Sequence, residues 1–159
     1  MTSTFFIDAF FREFPNYISC IPSDLILNMQ DCAQNRASGP CFLIVNTSPS
    51  YIQTTGHWLT IIIYNRDKCE IFDSLAAPKE QLPSKILFFL KKFKKVIFSP
   101  RAIQSPISNF CGVFAIARAI SACRRQPLKD FYRNFKEDLL LQNDSLATKY
   151  ILDNISSVY

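Results

Sequence analysis

Two apolar segments joined by a short polar turn constrain the fold of this chain most strongly. Residues 57–64 (His-Trp-Leu-Thr-Ile-Ile-Ile-Tyr) are rich in β-branched and aromatic side chains, the polar residues 65–68 follow, and residues 69–73 (Cys-Glu-Ile-Phe-Asp) are again largely apolar. Such segments favour β-strands, and a short polar connection between them is typical of a hairpin. In an antiparallel pair the start of the first strand lies beside the end of the second. The pattern therefore predicts that His57 and Asp73 lie side by side.

The other predicted elements are those of an α+β domain. Residues 41–45 (Cys-Phe-Leu-Ile-Val) predict a buried strand at which the core sheet begins, and residues 96–98 predict another strand. Helices are predicted at residues 3–13, stopped by Pro15, after Pro22, after Pro83, from Cys111 onwards, and near residues 127–141 and 146–155. A chain of 159 residues is long enough for one core. We expect a single domain over residues 1–159, in which helices pack on a central mixed β-sheet.

The cysteine and histidine content bears on cofactors. Six cysteines form no Cys-x-x-Cys pair and the chain has one histidine, so we expect no metal site. We also expect no small-molecule cofactor. Five cysteines are expected to be ordinary buried thiols: Cys20, Cys32, Cys41, Cys69 and Cys123. The chain begins without a secretory signal and has no apolar run of roughly 20 residues, so we expect a soluble protein that is not secreted and does not contact a membrane.

Basic residues are clustered in a chain whose net charge is +5. Four lysines lie close together in the sequence: Lys91, Lys92, Lys94 and Lys95. Such a cluster is typical of a surface that binds a polyanion such as DNA, but a solvated helix face is an equally good interpretation. The four lysines are therefore candidate DNA contacts.

Cys111 is the candidate nucleophile, because it begins a predicted helix that is apolar on most sides. A cysteine reacts as the thiolate, and the dipole and free N–H groups of a helix N-terminus stabilise that anion. His57 would take the thiol proton and Asp73 would hold the imidazole in one tautomer. The side-chain amide of Gln104 and the Cys111 backbone N–H would bind the oxyanion of a tetrahedral intermediate. Each residue alone has an ordinary structural interpretation, but the four together predict a cysteine hydrolase.

Three stretches that contain these residues resemble a known family. Residues 43–58 include Leu-Ile-Val-Asn-Thr and end in Thr-Gly-His-Trp, and residues 69–73 end in the aspartate. Residues 103–114 (Ile-Gln-Ser-Pro-Ile-Ser-Asn-Phe-Cys-Gly-Val-Phe) are the most specific stretch, because they keep the interval from glutamine to cysteine. Over approximately residues 14–120 the chain resembles the adenovirus proteinase (adenain) family and, more distantly, the ubiquitin-like-protein proteases that share its fold.

The resemblance implies a cysteine endopeptidase of this fold, with its nucleophile at the N-terminus of a buried helix. It implies that Cys111 is the nucleophile, His57 the base, Asp73 the residue that orients the base, and Gln104 the oxyanion donor. Adenain has glutamate at the position of Asp73, whereas the ubiquitin-like proteases have aspartate. The implied substrates are structural precursor proteins of an adenovirus-like virus or a virus-derived mobile element. They would be cleaved during virion maturation, in the virion and the host nucleus or cytoplasm.

The resemblance also implies two stimulating partners, DNA and a short viral peptide. In adenain the peptide can be disulfide-linked to a cysteine shortly before the glutamine. Residues 84–103 of this chain contain no cysteine. If an activating peptide binds, we therefore expect it not to be disulfide-linked.

Two other functions remain open on the sequence alone. A protease of ubiquitin-like modifiers such as ubiquitin or SUMO would use the same chemistry, although such enzymes need an extended surface to grip the modifier. A non-catalytic basic domain that binds nucleic acid would leave the thiol incidental, so that Cys111→Ala would keep function. The sequence also leaves open whether His57 and Cys111 are in contact in the resting protein.

Overall fold

A computed structural model of the protein describes residues 3–14, 16–29, 39–52 and 56–157. In this part of the chain, five strands form one sheet in the order β1-β2-β3-β4-β5. The strands are β1 (Tyr17–Pro22), β2 (Cys41–Asn46), β3 (Trp58–Ile63), β4 (Lys68–Phe72) and β5 (Lys95–Phe98). The outer pairs β1/β2 and β4/β5 are parallel, and the inner pairs β2/β3 and β3/β4 are antiparallel. The predicted α+β class with a mixed sheet is confirmed.

The hairpin β3/β4 is antiparallel, as the sequence predicted. Its ladder runs from Thr60 opposite Phe72 to Ile63 opposite Cys69. His57 therefore precedes the first strand at the same edge of the sheet at which Asp73 follows the second.

Helices cover both faces of this sheet. The α-helices are α1 (Thr4–Phe11), α2 (Ser84–Leu90), α3 (Cys111–Cys123), α4 (Leu128–Tyr132) and α5 (Asn143–Asn154). Short 3₁₀ helices lie at Ser23–Met29, Lys79–Gln81, Leu140–Gln142 and Ile155–Ser157. None of the helices in the described ranges is long and apolar enough to span a bilayer.

The alternation of side chains along β2 divides the interior into two apolar cores. Phe42 and Ile44 face the core that α1, α3, α4 and α5 cover, whereas Leu43 and Val45 face the core under α2 and the first 3₁₀ helix. Every residue of β3 is buried, and the strand is accordingly apolar on both faces except at Thr60.

The central helix α3 is fixed against the sheet by polar contacts as well as by packing. Ten of its thirteen residues are buried. The side chain of Thr60 donates to the Ala115 carbonyl at 2.9 Å, and Arg118 forms an ion pair with Glu70 of β4 at 2.7 Å. These contacts fix the helix whose first residue, Cys111, lies beside the start of β3.

Two sequence-based predictions about strands and helix starts were wrong. The sheet begins with β1 rather than at Cys41, because the pairing of β1 with β2 is parallel and long-range, and local periodicity does not contain it. The C-terminal helix begins at Asn143 instead of residue 146. The Asn143 side chain accepts a hydrogen bond from the Lys136 N–H and donates to the carbonyls of Lys136 and Ile103. These tertiary contacts set the start of α5.

The helix predicted at residues 127–141 is also shorter than expected. It ends after Tyr132, where the Asn134 side chain donates to the Phe131 carbonyl at 2.8 Å. Such a side-chain bond competes with continuation of the helix. The predicted stop at Pro15 lies outside the described residues.

Candidate active site

His57 is positioned by the end of the neighbouring strand β2. Its backbone N–H donates to the Thr47 hydroxyl at 2.9 Å, and its carbonyl accepts from the Thr47 N–H at 2.8 Å. A Cβ on the preceding residue, Gly56, would lie 1.9 Å from Asn46 Oδ1 and 2.7 Å from the backbone nitrogen of Ser48. Glycine is therefore required for this close approach, which sets where His57 enters the sheet.

Asp73 holds the imidazole from the neighbouring strand end. His57 Nε2 lies 2.6 Å from Asp73 Oδ1, so the predicted side-by-side arrangement is present. The carboxylate is itself fixed, because it accepts from the backbone N–H groups of Leu75 at 2.8 Å and Ala77 at 3.0 Å. The turn after β4 thus orients the carboxylate toward His57.

Cys111 interacts with His57, and the two groups shift each other's pKa. Its thiol is hydrogen-bonded to His57, and the backbone N–H groups of Trp58 and Gly112 also point at the sulfur. Because Nε2 of the imidazole faces Asp73, Nδ1 is the ring nitrogen that serves the thiol. The Trp58 N–H reaches the sulfur because the β3/β4 ladder begins two residues later, at Thr60.

The electrostatics of the three groups favour a charged pair. Burial opposes ionisation of each group, but the hydrogen bonds among them outweigh burial. Bonding to Asp73 and Cys111 raises the pKa of His57 to about 9, and bonding to His57 holds the pKa of Asp73 below its ordinary value. The pKa of Cys111 is lowered by its bond to His57 and by the two backbone N–H donors. The arrangement therefore favours a thiolate beside an imidazolium.

The other cysteines differ in their electrostatics. Burial raises the pKa values of Cys20, Cys69 and Cys123 to about 12. Cys20, Cys41 and Cys69 are buried, and Cys123 is half-buried. Cys32, also predicted to be a buried thiol, lies outside the described residues. Of the four described cysteines with a shifted pKa, Cys111 is the one whose surroundings favour the thiolate.

Gln104 lies in the loop between β5 and α3 and is 2% exposed. Its Oε1 accepts a hydrogen bond from the Ser74 hydroxyl at 2.6 Å, and its Nε2 donates to the Ser108 carbonyl at 2.8 Å. Ser74 follows Asp73 directly. The structure thus anchors the predicted oxyanion donor on the residue next to the carboxylate that holds His57.

The four candidate DNA contacts lie elsewhere. Lys91, Lys92, Lys94 and Lys95 are all exposed, between the end of α2 and the start of β5. Lys95 pairs in register with Lys68 at the start of β4, whereas Asp73 follows the other end of that strand. Lys94 also forms an ion pair with Asp67 at 2.9 Å. The structure therefore separates the lysine cluster from the candidate catalytic residues.

Sequence reasoning missed three groups that hold the site together. They are the Thr47 hydroxyl under His57, the Trp58 backbone N–H at the thiol, and the Ser74 hydroxyl at Gln104. A signal existed only for Ser74, which stands next to Asp73 in the sequence. No group of three potential metal-ligating side chains occurs among residues 3–14, 16–29, 39–52 and 56–157.

The fold of this chain is similar to the folds of two solved protein structures. No protein-family model matches the chain, and no curated protein matches its sequence. The central domain of the uncharacterized Lpg1148 protein from Legionella pneumophila is 14% identical with a TM-score of 0.50, and the match covers 88% of this chain and 86% of that one. AvrA delL154 with IP6 and CoA is 15% identical with a TM-score of 0.54, over 91% of this chain and 68% of that one. At these identities the likeness concerns the fold alone, which is consistent with a ubiquitin-like-protease-like fold.

Proposed function

We propose that the chain is a cysteine endopeptidase whose nucleophile is Cys111. The observations that support the proposal are the 2.6 Å contact of His57 Nε2 with Asp73 and the interaction of His57 with the Cys111 thiol at the start of the buried helix α3. Taken singly, a buried thiol or a strand-end aspartate is ordinary. A thiol with a lowered pKa that is paired to an oriented imidazole is typical of an activated nucleophile.

The reaction follows from these positions. The Cys111 thiolate attacks the carbonyl carbon of a peptide bond, and the electron pair of the C=O bond moves to the oxygen to form a tetrahedral oxyanion. The Cys111 N–H and Gln104 Nε2 donate to that oxygen. The intermediate collapses as His57 gives its proton to the leaving amine, which leaves a thioester on Cys111. Water, deprotonated by His57, then attacks the thioester and releases the acid.

The viral setting is supported by the resemblance of residues 14–120 to the adenain family. On that basis the substrates are structural precursor proteins of an adenovirus-like virus or a virus-derived mobile element, cleaved during virion maturation. Stimulation by DNA would act through Lys91, Lys92, Lys94 and Lys95, which lie away from His57 and Asp73. A peptide activator would bind without a disulfide.

The test is cleavage of a defined peptide library by the full chain, with mass spectrometry to locate each cut. Wild type is expected to cut internal peptide bonds, and Cys111→Ala is expected to cut none. Cys123→Ala is the matched control, since it removes a half-buried thiol from the other end of the same helix and is expected to cut normally. Cleavage that survives Cys111→Ala would refute the proposal.

Two further outcomes would favour the other functions. Labelling of Cys111 by a ubiquitin or SUMO vinyl sulfone, without cleavage of library peptides, would identify a protease of ubiquitin-like modifiers. An inert thiol together with salt-dependent DNA binding that is lost when the four lysines are replaced would identify a non-catalytic DNA-binding domain.

A further inference from the structure

The orientation of the Gln104 amide follows from the chemistry of its two neighbours. The Ser108 carbonyl can only accept a hydrogen bond, so the amide atom that faces it must be the Nε2 donor. Oε1 then faces Ser74, whose hydroxyl donates to it across 2.6 Å. Nε2 carries two N–H groups, and the bond to Ser108 uses one of them. In the proposed function, the second would donate to the substrate oxyanion.

Ser74 also holds the main chain beneath this amide. Its carbonyl oxygen accepts from the N–H groups of Ile103 at 2.9 Å and Gln104 at 3.0 Å. Ser74 is fully buried, so its contacts with Gln104 do not compete with bulk water. Because Ser74 follows Asp73, one dipeptide at the end of β4 contacts both the base and the proposed oxyanion donor.

The other end of the amide is anchored by a separate helix. The Ser108 hydroxyl donates to Asp144 Oδ2 of α5 at 2.8 Å and accepts from the Phe110 N–H at 3.2 Å. The carbonyl that receives Gln104 Nε2 therefore belongs to a residue whose side chain is itself held. With one end fixed by Ser108, the hydroxyl of Ser74 decides how firmly the other end is held.

We propose that Ser74 is a positioning residue for the oxyanion step, which it serves by holding Gln104 Oε1 so that Nε2 is presented to the reacting carbonyl. This inference rests on the proposed function. Without the Ser74 hydroxyl the buried Oε1 loses its donor and the amide is free to rotate away from its working orientation. The consequence is slower formation of the tetrahedral intermediate, with no change in the ionisation of Cys111.

Two reactions of Cys111 separate these effects. Iodoacetamide alkylates the thiolate by displacing iodide from carbon, and no oxyanion forms. N-benzyloxycarbonyl-glycine p-nitrophenyl ester acylates the same thiolate through a tetrahedral oxyanion and releases p-nitrophenolate. Ser74→Ala is expected to slow acylation about tenfold while alkylation stays within about twofold of wild type.

Matched variants make the comparison specific. Ser121→Ala removes another fully buried hydroxyl, one bonded to Arg118 and Gln126, and is expected to keep both rates. In a Gln104→Ala background, Ser74→Ala is expected to cause no further loss of acylation, because the group it positions is already absent. Should the alanine variant not fold, Ser74→Cys is nearly the same in shape with a weak donor and is expected to show the same contrast.

The outcomes distinguish this inference from the proposed function. Wild-type acylation in Ser74→Ala, an equal fall in both rates, or a further loss in the Gln104→Ala background would each overturn the role of Ser74 and leave the proposed function standing. Slow alkylation of the wild type that His57→Ala does not change would overturn the proposed function and the role of Ser74 with it.

Discussion

Replacing Glu70 with glutamine removes the counter-charge of a buried guanidinium. Arg118 and Glu70 are both fully buried, and their bond is bidentate, with Nε to Oε1 at 2.7 Å and Nη2 to Oε2 at 2.9 Å. The remaining N–H groups of Arg118 are donated to Tyr64, Ser121 and the Gln126 carbonyl. Every donor of the guanidinium is thus satisfied, and its charge is balanced by Glu70.

The size of the effect follows from this burial. Removing one partner of a buried ion pair costs about 3–5 kcal/mol, because the other charge stays buried without compensation. For a chain of about this length, 1 kcal/mol corresponds to about 2–4 °C, so Glu70→Gln is expected to lower Tm by about 6–20 °C. Replacing both residues with methionine removes the stranded charge, and this double variant is expected to be more stable than Glu70→Gln.

The assay is urea and thermal unfolding followed by circular dichroism. Arg133→Met is the control, because it breaks the exposed ion pair with Asp130 and is expected to cost at most about 1 kcal/mol. A loss below about 1 kcal/mol for Glu70→Gln, or a double variant less stable than Glu70→Gln, would refute the reasoning.

Three further predictions concern the candidate active site. Gly56→Ala is expected to cost about 1–3 kcal/mol in urea unfolding and to slow alkylation of Cys111, because the new Cβ would lie 1.9 Å from Asn46 Oδ1; unchanged alkylation would argue against a positioning role. Asp73→Asn is expected to reduce acyl transfer about 10²–10⁴-fold. It is also expected to lower the pKa of His57, because burial lowers that pKa and the carboxylate that raises it is gone. NMR titration of the imidazole measures the pKa, and an unchanged value would contradict the account. The rate of peptide cleavage by wild type is expected to rise with pH through the lowered pKa of Cys111 and to fall above about 9, where His57 loses the proton that the leaving amine needs. A profile that only rises from an ordinary thiol pKa would contradict this expectation.

The features predicted correctly from the sequence are those carried by neighbouring residues. The hairpin that brings Asp73 to His57 is encoded by two apolar segments and four polar residues between them. The helix start at Cys111 is encoded by the apolar spacing after it. In both cases a local pattern sets the secondary structure, and the geometry of a hairpin or helix terminus then places the side chain.

The features missed depend on contacts between distant residues. The edge strand β1 is defined by its pairing with β2 across the segment between them, and Asn143 sets the start of α5 through the Ile103 carbonyl, 40 residues away. Ser74 reaches Gln104 across 30 residues, and a lone serine carries no periodicity. The catalytic roles of Cys111, His57, Asp73 and Gln104 remain predictions, because geometry and pKa values describe readiness for a reaction.

The rate of Cys111 alkylation by iodoacetamide between pH 4 and 9 tests the central claim most directly. It is measured in wild type and His57→Ala, with mass spectrometry to locate the label among the cysteines. The account predicts fast labelling of Cys111 below pH 7 that collapses in His57→Ala, with Cys20, Cys69 and Cys123 unlabelled because burial raises their pKa values to about 12. Labelling of Cys111 that is slow below pH 7 and the same in both proteins would contradict it.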